Sequence, residues 1–171
     1  ALIDISTQMA RLGQLEQALQ VIPRVPHAVR IPKALTSVAA EANRIRSGWG
    51  DPIVKLAIEV ISKLPDSDRI EALSDVAILL SKDGRPEGTQ LLERAYAAAS
   101  VAPEHERAYR LGQVGRAMAE SGQFERSLEI AHHPQTAWCR TEVLRAVFKR
   151  LRTAGDSRAA DVFLELRENL I

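Results

Sequence analysis

The sequence predicts an all-α protein: an α-solenoid of about five helix-turn-helix repeats, with about ten antiparallel helices in a right-handed superhelix. Three observations lead to this prediction. Apolar residues recur at helical spacing in five copies, a glycine follows the first apolar segment of each copy, and a second apolar segment follows the glycine. Such units stack on their neighbours to bury their apolar faces. No run alternates polar and apolar residues between turn signals, so no β-strand is expected.

The first helix of each copy is marked by a leading leucine. These leucines are separated by 33, 38, 38 and 33 residues, and they are Leu2, Leu35, Leu73, Leu111 and Leu144. Apolar or small residues follow three, four and seven positions after each one. The three rows are Ile5, Val38, Val76, Val114 and Val147; Ser6, Ala39, Ala77, Gly115 and Phe148; and Met9, Ala42, Leu80, Met118 and Leu151. Residues at these offsets share one face of an α-helix, so we expect each first helix to bury this face.

A turn signal and a second helix follow in every copy. The turn glycines are Gly13, Gly48 with Gly50, Gly84, Gly122 and Gly155. Glycine adopts the left-handed conformation that ends a helix at little steric cost. The second apolar segments cover residues 15–22, 52–64, 89–99, 124–131 and 157–166, and four of them are closed by Pro23, Pro65, Pro103 and Pro134. Before Pro52, Asp51 is expected to be a helix N-cap.

The chain is expected to form one helical-repeat domain over residues 1–171. Its units cover about 1–33, 34–66, 67–103, 104–134 and 135–171. The first residue is Ala1 and the chain opens inside a helical pattern, so we expect a fragment of a longer protein. The last unit carries apolar residues where a terminal repeat usually has a polar cap, namely Val162, Phe163, Leu166, Leu170 and Ile171. Two explanations stay open: more chain follows, or this surface associates with a second copy.

Two copies carry residues that point to a known family. In the fourth copy these residues are Leu111, Val114, Gly115, Met118, Gly122, Ser127, Ala131 and Pro134. In the first they are Leu2, Ile5, Met9, Gly13, Leu15, Ala18 and Ile22. This pattern resembles the tetratricopeptide repeat, and the resemblance covers nearly the whole chain. Aliphatic side chains replace most of the aromatic ones of the family, since only 4% of residues are aromatic. The central periods of 38 exceed the family's period of about 34, so a HEAT-like array is kept as an alternative.

Composition limits the classes of protein to which this chain can belong. With 171 residues, 46% of them hydrophobic, the chain can bury a continuous core. Lysine and arginine total 23 against 22 acidic residues, and a net charge of +1 gives no general attraction to nucleic acid or to an anionic membrane. One cysteine excludes an internal disulfide, and no apolar run approaches the roughly 20 residues that span a bilayer. We therefore expect a soluble cytoplasmic protein that binds neither nucleic acid nor membrane.

Three features were considered as sites of chemistry. His132 and His133 with Cys139 could ligate zinc, but a structural zinc site needs a fourth ligand. The segment 104–106 reads Glu-His-Glu and occurs once. We favour structural roles for all of them, as a helix end, a small buried hydrophobe and charges at a helix N-terminus, with a metal or catalytic role as the alternative. No glycine-rich phosphate loop is present, so we expect no cofactor, no metal and no enzymatic activity.

Structural roles are also expected for the two tryptophans and for a row of arginines. Trp49 and Trp138 are expected in connections between helices, where they would cover the seam between repeats; the alternative is an exposed binding anchor. Arginines lie four residues before three of the leading leucines, at Arg69, Arg107 and Arg140. A charge that recurs in phase with the repeat is typical of a bridge between neighbouring units.

The tetratricopeptide resemblance implies a binding groove lined by the first helices. The inward positions would lie one, five, eight and nine residues after each leading leucine. They hold a basic cluster of Arg116, Arg145, Lys149 and Arg152, with Asn43, Arg44 and Lys82 further along the groove. Arginine presents a planar fork that suits carboxylates, so we expect the partner to be an acidic peptide or a C-terminal carboxylate. The alternative is that these residues are only the solvated faces of long helices.

The function expected from these features is a protein–protein interaction module or scaffold with a peptide partner in its concave groove. One alternative is a HEAT-like repeat enzyme that carries out metal or lyase chemistry. A second is a nucleic-acid-binding helical repeat, in which each unit reads a base with two or three side chains. The second alternative needs equivalent polar residues in successive copies, whereas the inward positions here vary between Ile, Gly, Arg and Thr.

Overall fold

The computed structural model describes residues 2–132 and 137–168. Within these ranges the chain forms ten α-helices, two single-turn 3-10 helices and no β-strand, which confirms the predicted all-α class. The odd-numbered helices are α1 (Leu2–Arg11), α3 (Ile31–Ile45), α5 (Asp66–Lys82), α7 (Glu104–Glu120) and α9 (Ala137–Ala154). The even-numbered helices are α2 (Leu15–Val21), α4 (Asp51–Ser62), α6 (Glu87–Ser100), α8 (Phe124–His132) and α10 (Ala159–Glu168). The 3-10 helices Ile22–Arg24 and Ala28–Arg30 lie between α2 and α3.

The helices pack in a regular order along the chain. Each odd-numbered helix contacts the even-numbered helix that follows it, and α1 to α7 each also contact the next odd-numbered helix. Each of the helices α2, α4, α6 and α8 contacts the odd-numbered helix after it as well. Helices that are close in the sequence are therefore close in space, and the odd-numbered helices form a continuous row of contacts from α1 to α9.

The predicted apolar rows form the core in every odd-numbered helix except the first. The leading leucines of α3, α5, α7 and α9 are no more than 5% exposed, and the valines three positions later are fully buried. In α1, Leu2 and Met9 are partly buried, but Ile5 is 45% exposed, so the prediction is wrong for this residue. Helix α1 packs against α2, α3 and the first 3-10 helix, and these contacts leave the Ile5 side chain exposed.

Four of the five predicted turns end their helix in the same way. The glycine has a positive φ, and its N–H donates to the carbonyl three residues earlier, while the next N–H donates to the carbonyl five residues earlier. At Gly122 these bonds measure 3.1 Å to Ala119 and, from Gln123, 2.9 Å to Met118. This is a Schellman motif. The same pair of bonds occurs at Gly13, Gly84 and Gly155. In all four turns, the carbonyl five residues before its donor belongs to the last predicted apolar row. These carbonyls are those of Met9, Leu80, Met118 and Leu151, so this row also takes part in ending the helix.

The turn between α3 and α4 differs from the other four, and one prediction fails there. Asp51 is the first residue of α4 and makes no cap hydrogen bond; its carboxylate instead accepts a 2.8 Å hydrogen bond from Arg85 Nη1. The N-cap is Gly50, whose N–H donates at 2.7 Å to Asn43 Oδ1. A Cβ at Gly50 would lie 2.2 Å from the carbonyl oxygen of Ala39. Glycine is therefore required here by the close approach of α4 to α3.

The described prolines Pro23, Pro65 and Pro103 lie between α-helices, and two of them start the helix that follows. Pro65 and Pro103 are the N-cap residues of α5 and α7, with extended ψ angles of 152° and 143°. Proline has no N–H to satisfy at this position, and its fixed φ suits a helix start. Pro23 lies in a 3-10 helix just beyond α2. Pro134 lies outside the described residues.

The arginine row bridges neighbouring helices, which confirms the prediction. Arg69 Nη2 donates at 2.8 Å to the carbonyl of Leu64, just past the end of α4. Arg107 Nε donates at 3.2 Å to Ala102, just past α6. Arg140 Nε donates at 3.2 Å to Ala131, in the last turn of α8. Each guanidinium thus satisfies a carbonyl at the end of the preceding even-numbered helix, where positive charge also favours the helix dipole.

A second set of arginines connects even-numbered helices, or the residues just before them, to one another. Arg85 pairs with Asp51 at 2.8 Å, and Arg126 pairs with Glu93 at 3.1 Å. Arg158 pairs with Glu125 at 2.6 Å. The partners are 33 or 34 residues apart in each case. These pairs are partly exposed, so each one alone contributes little stability.

The described part of the predicted apolar face in α10 is partly buried. Val162 and Leu166 are buried. The ring of Phe163 packs against that of Phe148, with centroids 5.5 Å apart. Phe163 and Leu164 remain about half exposed. Leu170 and Ile171, which were predicted to belong to the same face, lie outside the described residues.

Candidate functional site

Four of the predicted groove residues lie together in one cavity between α7 and α9. The cavity has a volume of about 420 Å³. Its cationic lining comes from three helices, and the residues are Lys82, Arg116, Arg145, Lys149 and Arg150. Arg145 and Lys149 are four residues apart on α9, which places them on one side of that helix. The structure therefore brings together the residues predicted from three different repeats, and it adds Arg150.

Two carboxylates offset part of this charge. Arg145 Nη1 lies 3.0 Å from Glu142 Oε1, and Arg116 Nε lies 3.8 Å from Glu120 Oε1. Both glutamates line the same cavity. In the part of the chain that the structure describes, Lys82, Lys149 and Arg150 make no ion pair. Five cationic side chains thus face two anionic ones, and the cavity keeps a local excess of positive charge in a chain of net charge +1.

The paired arginines remain available to a ligand. Arg116 and Arg145 are 54% and 62% exposed at their side chains. Their ion pairs join residues within a single helix, and surface pairs of this kind contribute less than about 1 kcal/mol because water and salt screen them. An incoming carboxylate can therefore replace either glutamate as the acceptor at small cost. The guanidinium forks are suited to bind it through two hydrogen bonds.

Asn43 and Arg44 lie in a different cavity, of about 360 Å³, close to the α3–α4 turn. Each already has a structural contact. Asn43 accepts the N–H of Gly50, and Arg44 Nη1 donates at 3.0 Å to Glu41 Oε1. These two predicted site residues are thus separate from the cluster on α7 and α9, and both help to hold α3 and its turn in place.

Arg152 lines neither of these two cavities. Its guanidinium carbon lies 5.6 Å from the centre of the Phe148 ring, a distance suited to a cation–π contact. The prediction grouped Arg152 with Arg145 and Lys149 by offset from the leading leucine. The structure places its head group over an aromatic ring on the same helix instead.

An aromatic pair lies on the same two helices as the basic cavity. The rings of Tyr109 on α7 and Trp138 on α9 stack with centroids 5.5 Å apart and planes 21° apart. Trp138 was expected in a connection, but it belongs to the first turn of α9. Trp49 does lie in a connection, between α3 and α4, with the guanidinium of Arg46 5.5 Å from its ring centre. Both tryptophans are close to half exposed.

His132 and Cys139, the described residues of the predicted zinc alternative, do not line the basic cavity. His132 Nε2 lies 2.9 Å from Glu165 Oε1, joining α8 to α10. Cys139 is fully buried in α9, and burial raises the pKa of its thiol to about 11. His133 is outside the described residues. Among the residues that the structure does describe, no three His, Cys, Asp or Glu side chains form a group suited to a metal ion.

Sequence reasoning missed Arg150 and Glu142, which line the cavity, and Tyr109, which lies on the same helix as Arg116. Glu142 and Tyr109 both lie two residues before a leading leucine, on α9 and α7. That offset was not among the positions taken to face inward. A helical projection that includes it would have placed Tyr109 seven residues before Arg116, on the same side of α7.

Comparison with known proteins identifies no relative of this chain. No protein-family model, curated protein or solved structure matches it. In the described ranges, none of the helices has the length and apolar character needed to cross a membrane.

Proposed function

We propose that this chain is a non-enzymatic protein–protein interaction module whose concave surface binds an acidic peptide segment or a C-terminal carboxylate. The observation that carries the proposal is the excess of cationic side chains in the cavity between α7 and α9. The scaffold in this proposal is a tetratricopeptide-like, right-handed α-solenoid of about five units, and its proposed location is the cytoplasm.

The order of helix packing supports the solenoid. Contacts between helices that are neighbours in the chain, together with a continuous row of odd-numbered helices, are what stacked helix pairs produce. The turn motif recurs at Gly13, Gly84, Gly122 and Gly155, and the arginine bridges and the pairs between even-numbered helices recur as well. Local structures that recur in most successive helix pairs are typical of a repeat array.

The basic cavity favours an anionic and extended ligand. Lys149 and Arg150 offer unpaired ammonium and guanidinium groups, and Arg116 and Arg145 offer guanidinium groups that are more than half exposed. Since these groups lie at the surface, their attraction for a carboxylate is moderate and screened by salt. We therefore expect binding that weakens steadily as ionic strength rises.

A charge-reversal variant tests the proposal. Arg116→Glu, Arg145→Glu and Lys149→Glu are combined in one chain, and binding of a fluorescein-labelled hexaglutamate peptide is followed by fluorescence anisotropy at about 50 and 200 mM salt. The wild-type chain is expected to bind the peptide more tightly at the lower salt concentration. The triple variant is expected to lose at least tenfold in affinity.

A matched control changes the same total charge on other helices. Lys55, Arg94 and Arg167 are exposed residues of α4, α6 and α10, and each is changed to glutamate. This control variant should bind the peptide within about threefold of wild type. Circular dichroism should give the same helix content for all three proteins. Equal losses in both variants would show a non-specific effect of net charge, and the proposed groove would then be wrong.

A further inference from the structure

We propose that the Tyr109–Trp138 pair is a second subsite of this surface, which holds an aromatic side chain of the ligand about three residues from its acidic group. This inference rests on the proposed function and specifies its partner: an extended peptide that carries one aromatic residue and one carboxylate at a fixed separation.

The aromatic pair forms a shelf that spans two helices. Trp138 projects from α9 across to α7, where its ring stacks on Tyr109. A Cβ at Gly112 would lie 3.1 Å from Cζ3 of Trp138. The absence of a side chain at Gly112 thus lets the indole lie directly against the backbone of α7. Tyr109 and Gly112 come from α7 and Trp138 comes from α9, so the shelf needs both helices.

The shelf is both exposed and held in place. Tyr109 is 50% exposed and Trp138 is 49% exposed. Gln113 Nε2 donates at 3.1 Å to the Tyr109 hydroxyl, and the guanidinium of Arg110 lies 5.7 Å from the centre of the Tyr109 ring. A ring whose position is fixed before binding loses little conformational freedom when a ligand arrives. Exposed tyrosine and tryptophan of this kind are common anchors in protein interfaces.

The shelf lies in line with the basic cavity. Arg116 follows Tyr109 by seven residues on α7, and Arg145 follows Trp138 by seven residues on α9. Seven residues make about two helical turns, so the backbone positions of each pair lie on one side of their helix and about 10.5 Å apart along its axis. An extended peptide advances about 3.3 Å per residue, so about three residues span this distance. The surface therefore fits an aromatic residue and an acidic residue three positions apart.

A library selection tests this spacing without a presumed sequence. A random dodecapeptide library displayed on phage is selected on the immobilised full chain, and the enriched peptides are sequenced. We expect enrichment of Asp or Glu together with Phe, Tyr or Trp three positions away. An enriched peptide is then synthesised with the aromatic residue changed to alanine, and with its spacing lengthened from three to five. Each change should weaken binding about tenfold.

Variants of the protein assign the effect to the shelf. Trp138→Ala should weaken binding of the selected peptide about tenfold. It should leave the affinity for hexaglutamate within about twofold of wild type. The control is Trp49→Ala, which removes a tryptophan of nearly equal exposure from the α3–α4 connection and should change neither affinity. Since Trp138 packs on Gly112, Tyr109→Ser provides a second test in which only a half-exposed ring is removed.

The outcomes separate this inference from the proposed function. Enrichment of acidic peptides with no aromatic residue at a fixed spacing would overturn the aromatic subsite and leave the basic groove standing. If the enriched peptides lack acidic residues, or if no peptide is enriched, both the basic groove and the aromatic subsite are overturned. Equal affinity of wild type, Trp138→Ala and Tyr109→Ser for the selected peptide would also overturn the subsite, whatever motif the peptide carries.

Discussion

Arg11 Nη2 donates a 2.9 Å hydrogen bond to Glu41 Oε1, and this contact joins α1 to α3 across 30 residues of sequence. Arg44 Nη1 donates to the same oxygen at 3.0 Å. The Glu41 side chain is only 8% exposed. The hydrogen bond from Arg11, together with the charge of Arg44, holds the pKa of Glu41 below its ordinary value of 4.5. This carboxylate is therefore stabilised in its charged form where α1 meets the rest of the fold.

Replacing Glu41 with glutamine is expected to lower the free energy of unfolding by about 1–2 kcal/mol at pH 7, since two charge-assisted hydrogen bonds are weakened and both arginines are half exposed. The pKa is depressed on folding, so the contribution is present above the unfolded pKa of 4.5 and is lost as pH falls through the folded value. Urea denaturation at pH 7 and in a series down to pH 3 measures both stabilities, and the two curves should converge in acid.

The control for this prediction is Glu59→Gln. Glu59 pairs with Lys63 at 2.7 Å on the surface of α4, and both side chains are mostly exposed. An exposed pair four residues apart contributes about 0.3–0.5 kcal/mol, so this variant should be close to wild type at every pH. If Glu41→Gln lowers the free energy of unfolding no more than Glu59→Gln does, the contact between α1 and α3 does not stabilise the fold.

The arginine bridges should contribute to stability through hydrogen bonds, and not through charge alone. Arg107→Lys keeps the charge but cannot reproduce the Nε donor to Ala102, so we expect a loss of about 0.5–1 kcal/mol. Arg94→Lys changes an exposed residue of α6 in the same way and should be neutral. Thermal unfolding followed by circular dichroism compares the two. Equal melting temperatures would mean that water replaces the Arg107 bond without cost.

Much of the fold could be predicted because helical periodicity and turn chemistry act locally. The offsets from Leu35, Leu73, Leu111 and Leu144 identified faces that are buried, apart from the partly buried Phe148. The glycines after α1, α5, α7 and α9 end those helices, whereas α3 ends at Ile45, before Gly48. Ile5 failed because burial also requires a neighbour on the right side, which α1 lacks. Local pattern alone does not contain that information.

The site could be predicted only in part, because it depends on how side chains from different helices meet. Arg116, Arg145 and Lys149 were placed together correctly by their register. The register could not show that Arg152 lies over Phe148, or that Asn43 is used by the N–H of Gly50. Both are contacts between residues close in the sequence, within one helix or one turn. Each contact occupies a side chain that was predicted to face the groove.

Cys139 should be a sensitive reporter of opening between α7 and α9. Burial raises the pKa of its thiol from 9.0 to about 11, so at pH 8 only about one molecule in a thousand carries the thiolate. We expect an aromatic disulfide reagent to label the native chain at least a hundredfold more slowly than the chain in 6 M guanidinium chloride. The buried neutral thiol favours folding below pH 9, and this contribution is lost as pH rises towards 11. Native labelling as fast as that of the unfolded chain would contradict the burial.

Close packing between α7, α8 and α9 at Gly115 gives the last prediction. A Cβ at Gly115 would lie 2.7 Å from Cγ2 of Val143 and 3.2 Å from Cγ2 of Ile130. Gly115→Ala is therefore expected to destabilise the chain by about 1–3 kcal/mol through overpacking. Val143→Ala alone should cost about 2 kcal/mol, because it leaves a cavity. In the double variant the new methyl occupies space that the valine vacates, so the combined loss should fall at least 1 kcal/mol short of the sum. Urea denaturation of the wild type, the two single variants and the double variant measures this coupling. Strictly additive losses would mean that Gly115 on α7 and Val143 on α9 are not in close contact.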